Sequence, residues 1–373
     1  MNSKERVLTA LNHEEADRVP LDLGGTNVTS IHREVEKRLE EYLGISDGRS
    51  EIISKKMGTV SPDERLLKYF GSDTRCLHLK ESKEWEVRDD GIFIDEWGIG
   101  FRKSPDSCYY EFCYHPLGEA KKKDIHNYPW PDPFSKKRIE GLKDKAESYG
   151  NHYCIVLEGT REPIFGLATW LRGYERLLMD MIENRDFVEE LFDTLLDFWE
   201  KCLGFVFSEI GEYIDVVKVA DDLGAQNSLL ISPQLYRELV KPRHEKLFRF
   251  IKENTNCRIL LHCDGAIDEI IPDLIEIGID ALNPIQPTVK GMEPEILKEK
   301  YGDRLTFWGG GIDTQSTLVF ASPEEVKNEV KRRVNILKKG GGFVFCQVHN
   351  IQPDVPLDNI IAMYEGFREV AYY

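Results

Sequence analysis

The sequence predicts an α/β chain folded as a closed (β/α)8 barrel, the TIM-barrel class. Three observations carry that expectation. Short apolar runs rich in β-branched residues alternate with long amphipathic segments almost from end to end, which is the βαβ signature. The runs number eight, the strand count of the barrel. Helix-start chemistry precedes several amphipathic segments, and a triple glycine returns the chain to the last run. A doubly wound open sheet shares the alternation and stays as the alternative, because strand order is not written in the sequence.

In chain order the runs are 19–23, 74–79, 153–158, 214–220, 258–262, 281–285, 305–308 and 343–348. "SPDE" at Ser61 and "SPEE" at Ser322 each offer a serine N-cap, proline at the first helical position and glutamate at the third. "SPQL" at Ser232 supplies the first two of these. The helix opened by Ser322 is expected to stop at Gly340, Gly341 and Gly342, where left-handed backbone angles are easily reached. Residues 81–135 break the alternation. Within them "EWEVRDDGIFIDEWGIGFRK" has period-two patterning, aromatic residues and Gly/Asp turns, so a β-hairpin excursion is expected after the second strand, folded over one end of the barrel. No repeat, low-complexity tract or linker interrupts the rest, and residues 1–373 read as one barrel domain with that insertion.

Hydrophobic residues at 41% and charged residues at 31% are ordinary for a globular protein. No run of about 18 apolar residues exists to span a bilayer, and the N-terminus lacks the pattern of a secretory signal. A cytoplasmic location is therefore expected. The formal charge of −17 argues against nucleic acid and anionic membrane as partners, although a local basic cleft can still hold an anionic ligand. The eight cysteines form no Cys-x-x-Cys pair and read as reduced thiols or ligands.

Barrel active sites lie at the carboxyl ends of the strands. There the third run delivers Glu158, and the fourth delivers Asp221 and Asp222 with Gln226 and Asn227 shortly after. The fifth delivers His262, Cys263 and Asp264, the sixth Asn283, the seventh Trp308 and three glycines, and the eighth Cys346, Gln347 and His349. Each has an ordinary reading: an aspartate capping a turn, Glu158 neutralising Arg161, a buried cysteine acting as a small hydrophobe. Their convergence on one rim is what points to chemistry, since burying so many ionisable groups without partners or purpose is costly. Strand alternation turns His262 and Asp264 to one side and Cys263 to the other. With His349 or Cys346, and Glu158 across the rim, a zinc site with an open position is feasible. Without metal the same groups serve as general acid and base, and spacing alone does not choose.

These motifs resemble the uroporphyrinogen decarboxylase superfamily of (β/α)8 barrels, most nearly its branch of corrinoid-dependent methyltransferases and demethylases. The resemblance runs from "KERVLTALNHEEADRVPLDLGG" through "DDLGAQNSLLISPQLYRELVKPRHEKLF", "LLHCDGAIDEIIPDLIEIGIDALNPIQP" and "FWGGGIDTQ" to "HNIQPDVPLDNIIAMYEG". The superfamily's decarboxylases carry an arginine-rich loop near the N-terminus, where this chain reads "LDLGGTNVTS". Its zinc methyltransferases use His-x-Cys-Gly after the fifth strand and a late cysteine. Here "HCDG" keeps the histidine as His262 but has Asp264 in place of the cysteine, and His349 in place of the late one.

The resemblance implies methyl transfer from a small methylated substrate, a methoxylated aromatic being the candidate, to a corrinoid. No corrinoid-binding Asp-x-His-x-x-Gly motif is present, so the corrinoid is expected on a separate carrier protein. His262, His349, Asp221 and Asp222 are the candidate catalytic residues; Glu158, Gln226, Asn227, Asn283, Trp308 and Gln347 are candidates for substrate binding. His262, Asp264 and His349 with Glu158 are the candidate zinc ligands, and Trp97 and Trp170 join Trp308 as candidate pocket walls. The alternatives are a metal-free decarboxylase, with Asp221 or Asp222 as acid and His349 as orienter, and a non-catalytic corrinoid- or tetrapyrrole-binding protein.

Overall fold

The computed structural model describes residues 1–48, 50–104 and 109–373. An antiparallel ribbon, β1 (Glu51–Ser54) with β2 (Thr59–Ser61), precedes the main sheet. The main sheet starts at β3 (Thr74–His78). A second sheet follows, built antiparallel from β4 (Glu86–Val87), β5 (Phe93–Ile94), β6 (Gly100–Lys103) and β7 (Tyr110–Tyr114). The main sheet resumes with β8 (Cys154–Glu158), β9 (Val216–Ala220), β10 (Arg258–His262), β11 (Ala281–Asn283), β12 (Thr306–Trp308) and β13 (Phe343–Val344). These strands and β3 are hydrogen-bonded in sequence order and all parallel.

The two edges of this curled sheet, β3 and β13, meet through residues 20–22. Leu21 forms a parallel bridge with Phe345, with Asp22 N donating to Phe345 O at 2.8 Å and Phe345 N to Pro20 O at 2.8 Å. On the other side Asp73 N donates to Leu21 O at 2.7 Å. The run at 19–23 thus closes the ring but is no full strand. Pro20 has no N–H to give, and Ser72 Oγ rather than a strand carbonyl receives the N–H of Leu23 at 3.0 Å.

Buried Asp73 holds that seam. Its carboxylate accepts from Leu21 N at 2.8 Å, from Arg6 Nη1 at 2.6 Å and from Arg18 Nη1 at 2.9 Å. Inside the ring, Cys154, Val156, Val216, Leu260, Ala281, Trp308 and Val344 form an apolar plug. Val7, Ala10 and Leu11 of helix Ser3–Leu11 close its floor. The opposite faces of the strands, such as Leu157, Val217, Val219, Ile259 and Leu261, pack under the helices. Strands buried on both faces explain why the runs read as continuously apolar.

Two expectations change here. The excursion within 81–135 is a four-stranded antiparallel sheet rather than one hairpin, its residues 105–108 lying outside the described residues. Ser61 ends β2, and Asp63 instead caps helix Glu64–Phe70, accepting from Arg65 N. The serines at 232 and 322 do cap, Ser322 in a full capping box with Glu325. No helix among the described residues is long and apolar enough to cross a membrane.

Replacing Asp73 by Ala removes the buried carboxylate shared by Arg6, Arg18 and Leu21 N, leaving Arg6 with Asp17 and Arg18 with backbone carbonyls. The unfolding free energy in urea is expected to fall by about 3–5 kcal/mol; a loss below about 1 kcal/mol would show that the seam does not depend on this carboxylate.

Candidate active site

The site is built at the carboxyl ends of β8 to β11. Parallel register sets Glu158 beside Lys218 and His262 beside Asn283 on the inward face. After β9 and β10 the chain turns back in two loops that touch backbone to backbone. Gly265 has φ +90°, and a Cβ there would lie 2.4 Å from the carbonyl carbon of Gly224, so only glycine allows the approach. The contact brings Asp222 Oδ1 within 2.9 Å of Asp264 N.

His262 is oriented from behind. Asn283 donates through Nδ2 to Trp308 O at 2.8 Å, which fixes its Oδ1 on His262 Nδ1 at 2.6 Å. An amide oxygen only accepts, so Nδ1 carries the hydrogen and, in the neutral ring, Nε2 presents a lone pair. That Nε2 lies 3.7 Å from Asp264 Oδ2 and 3.9 Å from Asp222 Oδ1. His349 Nε2 lies 4.0 Å from the same Asp264 oxygen. The donor atoms of His262, Asp264 and His349 all fall within 4.8 Å of one another. Ligands at about 2.1 Å in a tetrahedron sit roughly 3.4 Å apart, so small side-chain movements let this set take a zinc ion. Burial holds the His349 imidazole below its usual pKa, which favours the neutral form that a metal needs.

The other candidates are placed differently. Asp221 is fully buried and faces the helical layer: it accepts from Phe165 N at 2.9 Å and Gly166 N at 2.6 Å and lies 2.9 Å from His244 Nε2. It thereby caps helix Phe165–Arg172 and offers no acid to the rim. Glu158 accepts from Lys218 Nζ at 2.7 Å and Asn27 N at 2.7 Å, and stands outside the metal-competent group. Trp308 is wholly buried in the plug, its indole donating to Asp22 at 2.7 Å. Asn283 supports His262 instead of facing a ligand, and buried Gln347 donates to Thr29 O at 3.0 Å. Gln226 and Asn227 are exposed on a loop tip. Cys263 and Cys346 are buried, and burial pushes both thiols up. Trp97 packs against Phe198 and Trp199, whereas Trp170 does line the cavity.

Several site residues escaped sequence reasoning. Lys218, Arg161, Lys56 and Glu162 line the cavity of about 310 Å³ that holds His262, His349 and Asp222. Lys218 left a signal, a lysine inside an apolar strand. Glu162 left none: it takes a left-handed backbone at φ +49°, accepts from Asp222 N at 2.9 Å, and fills space that a Cβ on Gly166 would occupy. Burial, then the neighbouring Asp222 and Asp221 carboxylates, push its carboxyl well above the usual range. Burial, with the Asp264 charge, also raises Asp222.

Asn283→Ala is expected to weaken zinc binding about 10–100-fold in competition with a chromophoric chelator, with Cys263→Ser unchanged. The opposite ranking would remove His262 from the ligand set.

A family model described as uroporphyrinogen decarboxylase (URO-D) matches residues 118–370. The uroporphyrinogen decarboxylase of Alkalilimnicola ehrlichii is 21% identical over 98% of this chain and 94% of its own. That of Psychromonas ingrahamii is 21% identical over 98% and 97%. Among solved structures, a methyltransferase from Methanosarcina mazei superposes with a TM-score of 0.70 at 20% identity, covering 99% of each chain. That likeness is one of fold, a parallel barrel-like sheet. With the family model covering most of the chain, the protein belongs to the uroporphyrinogen decarboxylase family.

Proposed function

We propose that the protein is a substrate:corrinoid methyltransferase that takes the methyl group of a small methoxylated arene and passes it to a corrinoid on a separate carrier protein. The observation that carries this reading is the clustering of His262 Nε2, Asp264 and His349 beside a cavity that His262 and His349 line. Oxygen and nitrogen donors without sulfur suit polarising an ether better than activating a thiol. When bound by these three residues, zinc supplies Lewis-acid polarisation of the ether oxygen.

The chain's own groups do the rest. Asn283 keeps His262 in the tautomer that faces the cavity. Val28, Met57 and Trp170 offer an apolar wall to the ring. In the transfer the O–CH3 bond breaks, its electron pair stays on oxygen, and the methyl bonds to the reduced corrinoid through the cobalt's electron pair. The departing oxygen needs a proton, and Glu162, protonated where an ordinary carboxylate is not, supplies it.

The relatives' name favours a second reading, decarboxylation of uroporphyrinogen. Residues 21–30, "LDLGGTNVTS", hold no arginine to meet that macrocycle's carboxylates, so no coproporphyrinogen is expected from an incubation read by fluorescence after oxidation.

Methyl transfer is tested with metal-replete protein, reduced carrier and a panel of methoxyarenes, following methylcobalamin absorbance. His262→Ala should reduce transfer to background with the urea midpoint preserved, and its full retention would sink the reading. Glu162→Gln should slow transfer about 10²-fold. In the wild type the rate should hold below the raised Glu162 pKa and fall as pH climbs through it. A Glu162→Gln rate equal to wild type would assign the proton elsewhere.

A further inference from the structure

Lys56 sits in the turn between β1 and β2, and its ammonium lies 3.6 Å from the ring centre of Trp170, 4.7 Å from that of Phe112 and 5.3 Å from that of Phe101. Two of these rings come from the inserted antiparallel sheet, on β6 and β7. Among the described residues Lys56 enters no ion pair and no side-chain hydrogen bond. The two other cations of the cavity are committed: Lys218 to Glu158 at 2.7 Å, and Arg161 to Ile53 O at 2.8 Å and Glu81 at 3.5 Å. Asp222, His262 and His349 line this cavity, and so does the aromatic-boxed ammonium of Lys56, on the wall formed with the insertion.

An ammonium held by ring faces and partly withdrawn from water is stabilised in part by the rings, and an anionic ligand group can balance its charge. Burial, together with the Arg161 charge, lowers the Lys56 pKa to about 8, although the acidic groups of Asp95, Glu162 and Glu81 act the other way. An apolar wall, an ammonium and ether-polarising groups on one cavity are matched by one kind of molecule.

We infer that Lys56 is the anchor for an anionic substituent of the substrate, so that the arene this cavity takes carries a carboxylate as well as its O-methyl group. The inference rests on the methyl-transfer reading for the identity of the ring, but the anchor is measurable without the reaction. Binding is measured by calorimetry near neutral pH, without carrier, for 4-methoxybenzoate and its neutral isostere 4-methoxybenzyl alcohol. The wild type should bind the benzoate at least tenfold more tightly. Lys56→Met should abolish that preference while keeping the alcohol's affinity within about threefold, and Lys56→Arg should keep a preference. Equal affinities in the wild type, no binding of either compound, or a preference that survives Lys56→Met would overturn the inference. The two claims fail separately: an anion preference with no methylcobalamin formed from any arene sinks methyl transfer and keeps the anchor, whereas transfer from neutral ethers as fast as from methoxybenzoate sinks the anchor and keeps methyl transfer.

Discussion

A closed parallel sheet sends every second side chain of each strand inward, and this two-residue period governs the rest of the molecule. It makes a column of Val216, Lys218 and Ala220 on β9, and one of Leu260, His262 and Asp264 on β10 and its loop. Each column runs from an apolar floor to a polar rim. Polar groups on the inside must find partners or open onto the mouth. Sorting them by that rule isolates the site: Asp22 is answered by Thr74 and Trp308, Glu158 by Lys218 and Asn27, and Asn283 by His262 and Trp308. Asp222, His262 and His349 instead open onto the cavity.

The groups at the mouth are held where their charges are costly. Glu162 keeps a left-handed backbone, a conformation that costs on the order of 1–3 kcal/mol outside glycine. The bond from Asp222 N and the missing side chain of Gly166 retain it. Gly224 and Gly265 play the same part for Asp222 and Asp264, letting two loops approach until their carboxylates crowd. Crowding and burial raise Asp222 and Glu162 together, the direction that the proposed proton transfer needs. Structure farther out, from the Asp73 seam to the capped helix Phe165–Arg172, keeps this arrangement from relaxing.

Much of the barrel was legible in the sequence because strand burial on both faces produces continuous apolar runs. The first run was legible only as a position: Pro20 cannot donate, and closure falls to one bridge and a buried aspartate that no local pattern marks. At the site, the period-two argument for His262 and Asp264 agrees with the side chains' shared orientation. It could not separate Asp221 from Asp222, since neighbours in sequence point to opposite layers and nothing local says which faces the mouth. Nor could it find Glu162, Lys56 or Arg161, whose places come from loops and an inserted sheet. Trp308 and Asn283 looked like ligand contacts because strand-end polarity does not reveal a partner across the barrel.

The central claim is that His262, Asp264 and His349 form a sulfur-free metal centre. Zinc K-edge X-ray absorption on the zinc-replete protein tests it directly. The account predicts a shell of nitrogen and oxygen at about 2.0–2.2 Å with two imidazole signatures. A sulfur scatterer near 2.3 Å, or zinc that persists after His262 and His349 are both replaced, would contradict it.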